Sequence, residues 1–88
     1  MKTIKELAST GERVYVHLKD EETAISFLHQ AESEGFTFGD GVKPTNRHWS
    51  DLYAIHQDGT LNYVSTNGRI HYGSVADGIV RIEYAELL

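Results

Sequence analysis

The sequence predicts an α+β domain: an antiparallel sheet of about four or five strands, with one main helix and a short N-terminal helix packed on one face. Three observations carry that prediction. Ala24, Phe27, Leu28 and Ala31 recur at i, i+3, i+4 and i+7, the spacing of one helical face. Val14, Val16 and Leu18 alternate with Tyr15 and His17, the period of a half-buried strand. The second half of the chain carries Asp58-Gly59 and Asn67-Gly68 between strand-like runs, the strongest short-range hairpin signals.

The elements follow in order. Thr3-Ile4-Lys5-Glu6 has the form of a capping box, with Ile4, Leu7 and Ala8 on one face and Gly11 as a stop. The strand Glu12 to Leu18 comes next. Asp20 has the character of an N-cap, and Glu21 and Glu22 fall where the helix dipole favours acids. Gly35 ends the main helix, and Phe36 and Phe38 flank Thr37 as a short strand. Leu52 to His56, Leu61 to Ser65 and Arg69 to Gly73 form two consecutive hairpins, and Ile79 to Tyr84 is the last strand.

Register is predicted as well. A two-residue turn at Asn67-Gly68 pairs Ser65 with Ile70 and Tyr63 with Tyr72, which gathers Leu61, Tyr63, Ile70 and Tyr72 on one face. The same turn at Asp58-Gly59 would pair His56 with Leu61 and scatter the apolar set. A three-residue loop with Gly59 in a bulge instead pairs Ile55 with Leu61 and Tyr53 with Tyr63. The expected core face is therefore Tyr53, Ile55, Leu61, Tyr63, Ile70 and Tyr72 under the helical stripe. The opposite face, with Tyr15, His17, Ala54, Asn62, Val64, His71, Arg81 and Glu83, is expected to face solvent, with Arg81 and Glu83 as a surface ion pair.

Composition narrows the function. The 88 residues read as one domain, 1–88, of ordinary globular composition. Net charge is −5, so a direct nucleic-acid ligand is not expected, and an acidic surface suits a basic protein partner. There is no cysteine, which excludes disulfides and thiolate metal sites and fits a cytoplasmic protein. MKTIKELAST has no long apolar run, so no signal peptide is expected, and no stretch has the ~20 apolar residues of a membrane span. The five histidines form no HxH or HExxH, so no metal or other cofactor is expected.

One stretch stands out. GFTFGDGVKPTNRHW, residues 35–49, holds three of the eight glycines, the only proline and the only tryptophan. Residues 39 to 51 read as an irregular connection, and connections of about a dozen residues tend to be functional or disordered. Arginine and tryptophan are the residue types most often dominant at interfaces. The candidate binding loop is Gly39, Asp40, Gly41, Lys43, Arg47, His48 and Trp49. In the other reading, Trp49 closes the edge of the core while Lys43 and Arg47 are solvated. GDGVKPT is not a P-loop, because Pro44 disfavours helix at the preceding lysine. The secondary candidate is the back of the sheet, with Tyr15, His17, Asn62, His71 and Arg81. No serine has an identifiable activating base, so no catalytic residue is assigned.

The block EGFTFGDGVKPTNRH, followed by LYAIHQDGTLNYVSTNGRIHYGS and the ending RIEYAELL, resembles a group of small uncharacterised proteins of gut Gram-positive bacteria and their phages and mobile elements. The likeness runs from about Val14 to Leu88. It implies context rather than chemistry: small acidic proteins of mobile elements often inhibit host systems, anti-CRISPR proteins among them. The expected function is thus a non-enzymatic protein-binding module, an inhibitor of a bacterial defence nuclease being one form of it. A nucleotide-binding protein using Lys43, Arg47 and the Gly39–Gly41 amides is the alternative, and a small nuclease-like enzyme using His17 and His71 the third.

Overall fold

The structure, a computed structural model, describes residues 3–11, 13–64 and 79–87. Helix α1 (Ile4–Ala8) is followed by strand β1 (Arg13–His17), helix α2 (Glu21–Ser33) and a short strand β2 (Thr37–Phe38). Strands β3 (Leu52–Ile55), β4 (Thr60–Tyr63) and β5 (Ile79–Glu83) complete one five-stranded sheet of order β2-β4-β3-β1-β5. Single 3₁₀ turns cover Pro44–Asn46 and Tyr84–Leu87.

Both helix starts form as their local chemistry requires. The Thr3 hydroxyl accepts from the Glu6 N–H and the Glu6 carboxylate accepts from the Thr3 N–H, closing the capping box. Asp20 caps α2 by accepting from the Thr23 N–H at 2.8 Å. That hydrogen bond, first among its causes, holds the Asp20 carboxyl below its ordinary range. Gly35 follows the end of α2 at φ +86°, where a Cβ would be strained.

The sheet is mixed, which corrects the antiparallel expectation. β3 pairs antiparallel with β1 and β4, whereas β5 runs parallel to β1 and β2 parallel to β4. Hairpin signals report only on consecutive strands. Both parallel pairs join strands distant in sequence, and their placement depends on the crossover. The first hairpin has the expected register, Ile55 opposite Leu61 and Tyr53 opposite Tyr63, with Gly59 at φ +86°. The second hairpin, with Ile70, His71 and Tyr72, lies outside the described residues.

The core is read across the strands in rungs. Phe38, Leu61, Ile55, Val14 and Val80 are successive partners, and Tyr63, Tyr53, Val16 and Ile82 form the next rung. Ala24, Phe27, Leu28 and Ala31 cover them, each at most 4% exposed. Burying a side chain such as Phe27 or Leu28 contributes roughly 1.5–3 kcal/mol. Phe27 stacks tilted on Tyr53 at 5.5 Å and edge-on against Tyr84 at 5.4 Å. Tyr84 starts the last 3₁₀ turn rather than ending β5, yet is buried, and its hydroxyl donates to the Gln30 side-chain oxygen.

Two further expectations are corrected. Tyr63 is 39% exposed, because β2 ends at Phe38, one rung short of it. The back of the sheet is not simply a solvent face: all four residues of β3 are buried, and Leu52, Ala54 and Val64 form a second apolar cluster joined by Tyr15.

Candidate functional site

The segment after β2 begins with a tight turn. The Gly41 N–H donates to the Phe38 carbonyl, the Phe38 N–H to the Val42 carbonyl, and the Val42 N–H to Asp40 Oδ1. Gly41 sits at φ +89°, and the chain reverses there without a side-chain penalty. Asp40 is held below the ordinary carboxylate range chiefly by the Val42 N–H; burial opposes this, and Arg47 adds to the lowering. Arg47 pairs with Asp40 and lies over the Phe38 ring at 4.7 Å. Its aliphatic and planar parts therefore close the loop on itself.

Beyond the turn the chain is strapped along α2. Pro44 is buried, and the Thr45 hydroxyl donates to Glu32 Oε1 at 2.6 Å. That bond, more than any other cause, lowers the Glu32 pKa; Lys43 and His29 add to it. Four residues on, the Trp49 indole N–H donates to Glu21 Oε2 at 3.0 Å. Glu21 and Glu32 are separated by roughly 16 Å of helix at about 1.5 Å per residue. The chain makes one 3₁₀ turn at Pro44–Asn46 and is extended again at Arg47, φ −125°, ψ 159°. The far end is fixed to the sheet: the Tyr63 and Tyr53 hydroxyls donate to the His48 carbonyl, and the Ser50 N–H donates to the Tyr53 hydroxyl at 2.9 Å. Burial raises the Tyr53 phenol well above its ordinary value.

This strap divides two grooves. One, of ≈ 330 Å³, lies between α2 (Ile25, Leu28, His29) and the loop side chains of Arg47, His48 and Trp49. The other, of ≈ 530 Å³ and shallower, lies between the strap and Tyr63. Among the described residues, Ile25, Trp49 and Tyr63 are the exposed large hydrophobic side chains, at 44%, 40% and 39%. All three line these grooves.

The structure thus sorts the sequence candidates. Asp40, Gly41 and Arg47 build the loop. Gly39, Lys43, His48 and Trp49 are exposed on it, and Trp49 is not part of the core cluster. The amides proposed for anion binding are partly committed, since the Gly41 and Val42 N–H groups donate within the turn. Ile25 and His29 escaped the sequence reading. Ile25 was detectable as an apolar residue off the buried helical stripe. The tethers from Glu21 and Glu32 left no local signal.

On the back of the sheet, register places Tyr15 beside Arg81 and His17 beside Glu83. His17 pairs with Glu83 there: Nδ1 lies 2.7 Å from Oε1, while Glu83 Oε2 is buried with no hydrogen-bond partner. Asn62 Oδ1 lies 2.5 Å from His56 Nε2, and Asn62 Nδ2 donates to the Tyr63 carbonyl at 2.9 Å. His71 is outside the described residues, so the His17/His71 pairing has no geometry to weigh. Among the described residues no cluster of three or more His, Asp or Glu could hold a metal ion, and no helix is long and apolar enough to cross a membrane.

Comparison with protein-family models, curated proteins and solved structures finds no match to this chain.

Proposed function

We propose that this chain is a non-enzymatic protein-binding module whose contact face is the α2/strap surface. One observation carries the reading: Ile25 on α2 and Trp49 on a loop tied down at both ends, both large and more than a third exposed, line one groove. Rigid, exposed aromatic anchors are what interface hot spots are made of, because little ordering entropy is lost on binding. The acidic first turn of α2, with Asp20, Glu21 and Glu22 all exposed, adjoins the tryptophan through the Glu21–Trp49 hydrogen bond. With a net charge of −5, such a rim suits a basic surface. The partner is then a basic nucleic-acid-binding effector, and the finer form of the proposal is a phage- or mobile-element-encoded inhibitor of a bacterial defence nuclease.

Displacement of labelled nucleic acid from purified defence nucleases tests this directly. The wild type should form a complex and displace the nucleic acid. Trp49→Ala and Ile25→Asp should bind at least about tenfold more weakly with nearly unchanged melting temperature, as surface substitutions. Absence of a complex with basic effectors, or variants that bind like the wild type, would overturn the proposal.

A further inference from the structure

The groove between α2 and the strap is lined without a carboxylate, although the chain is acidic. Glu21, Ile25, His29 and Glu32 follow one another at helical spacings of four, four and three, so they share a stripe of α2. The two carboxylates at its ends are each engaged by the strap, Glu21 by the Trp49 indole and Glu32 by Thr45. Between them the lining contains no carboxylate. It has an apolar floor of Leu28 and Ile25, a tryptophan ring at one end, and three nitrogen-bearing side chains, His29, Arg47 and His48.

Those nitrogen groups have capacity to spare. Arg47 carries five N–H donors, and one carboxylate takes at most two of them in a fork. Its hydrogen bond to Asp40 uses Nη2. Neither the His29 nor the His48 imidazole is hydrogen-bonded among the described residues, and both residues are exposed. An apolar floor, an aromatic wall and donors with capacity beyond their present acid neighbours suit a ligand that is part apolar and part anionic. The volume of ≈ 330 Å³ lies at the small end of ligand pockets, which run roughly 300–1,000 Å³.

The geometry points to this groove as a binding site for a small amphipathic monocarboxylate, its apolar part on Leu28, Ile25 and the Trp49 ring and its carboxylate on Arg47, His29 and His48. The site needs no protein partner, so it stands or falls separately from the function proposed above. The carboxylate can belong to a free acid or to the C-terminus of a short peptide, which present the same chemistry.

Trp49 is the only tryptophan and lies in the groove, so its fluorescence reads occupancy. The probes are 3-phenylpropionate, its amide, acetate, and N-acetyl-Leu-Phe as free acid and as amide. Saturable change with 3-phenylpropionate, at least about tenfold weaker with its amide and absent with acetate, is the expected result. A tighter response to the peptide acid than to 3-phenylpropionate would assign the site to peptide C-termini, and the reverse order to free acids. The double variant His29→Gln/His48→Gln should weaken binding several-fold. Amide shifts in a ¹H–¹⁵N spectrum should cluster at Ile25, His29 and Thr45–Trp49, a readout independent of the indole. No saturation by any acid, equal response to acid and amide, or shifts mapping elsewhere would overturn the inference.

Discussion

Phe38–Val42 and His56–Thr60 are the same turn used twice. In each, the first residue donates its N–H to the carbonyl of the fifth and accepts from the N–H of the fourth, a glycine at φ +89° in one and +86° in the other. In each, an aspartate before the glycine accepts from the N–H two residues on, at 3.2 Å for Asp40 and 3.0 Å for Asp58. Yet the second turn joins two paired strands and the first leads into an irregular strap. The turn is local, whereas the hairpin belongs to the flanks. Leu61-Asn62-Tyr63 alternates after Thr60 and can repay strand pairing on the core face. After Val42 come Lys43 and Pro44: one is polar, the other has no N–H for a ladder. The chain then takes its hydrogen bonds from the side chains of α2 instead.

If flanks decide, the largest effect should come from a flank. Leu61→Ala removes a fully buried rung residue and should cost roughly 2–5 kcal/mol. Val42→Ala, at a half-buried position after the sister turn, should cost less than about 1.6 kcal/mol, two methyl groups at about 0.8 kcal/mol each. Urea unfolding of both variants measures the pair, and equal losses would break the comparison.

Next come the turns themselves. Gly41→Val and Gly59→Val each force a β-branched residue to positive φ and should each cost about 1–3 kcal/mol. A Cβ meets nothing within 4 Å at either glycine, so backbone strain alone is being measured. Agreement within about 0.5 kcal/mol supports equivalence, and a large excess at Gly59 would show that hairpin pairing depends on its turn.

Arg47→Ala sharpens the difference between the two. It uncovers Phe38 and frees Asp40, for which the other turn has no counterpart: Asp58 bonds the Thr60 hydroxyl instead. The lost cation–π contact alone should cost about 0.5–1 kcal/mol, visible as a lowered melting temperature.

The smallest effect is in acid. The Asp40 and Asp58 carboxyls are both held below their ordinary range, by the Val42 N–H first in one and the Thr60 hydroxyl first in the other. A depressed carboxyl contributes stability above its unfolded pKa, and that contribution is lost as pH falls through the folded value. Asp40→Asn and Asp58→Asn should each flatten the decline in melting temperature below about pH 4 relative to the wild type, while a parallel decline would remove these groups from the acid transition.

What the sequence determined by itself lies within a few residues of chain. The Thr3/Glu6 capping box, the Asp20 cap, the buried stripe of α2 and the bulged register at Gly59 each depend on spacings of five residues or fewer between neighbouring signals, and each was legible. So was the oddness of residues 35–49, though not what the loop rests on. Tertiary structure decided what bridges long separations. Glu34, at the end of α2, turns its carboxylate onto the Ile4 and Lys5 N–H groups of α1, 30 and 29 residues away. Glu32 and Glu21 hold the strap across 13 and 28 residues, and His17 meets Glu83 across 66. A carboxylate on a helix surface reads the same in sequence whether it faces water or a distant N–H. Only the packing of α2 on the sheet, with β5 laid parallel to β1, brings those donors within reach.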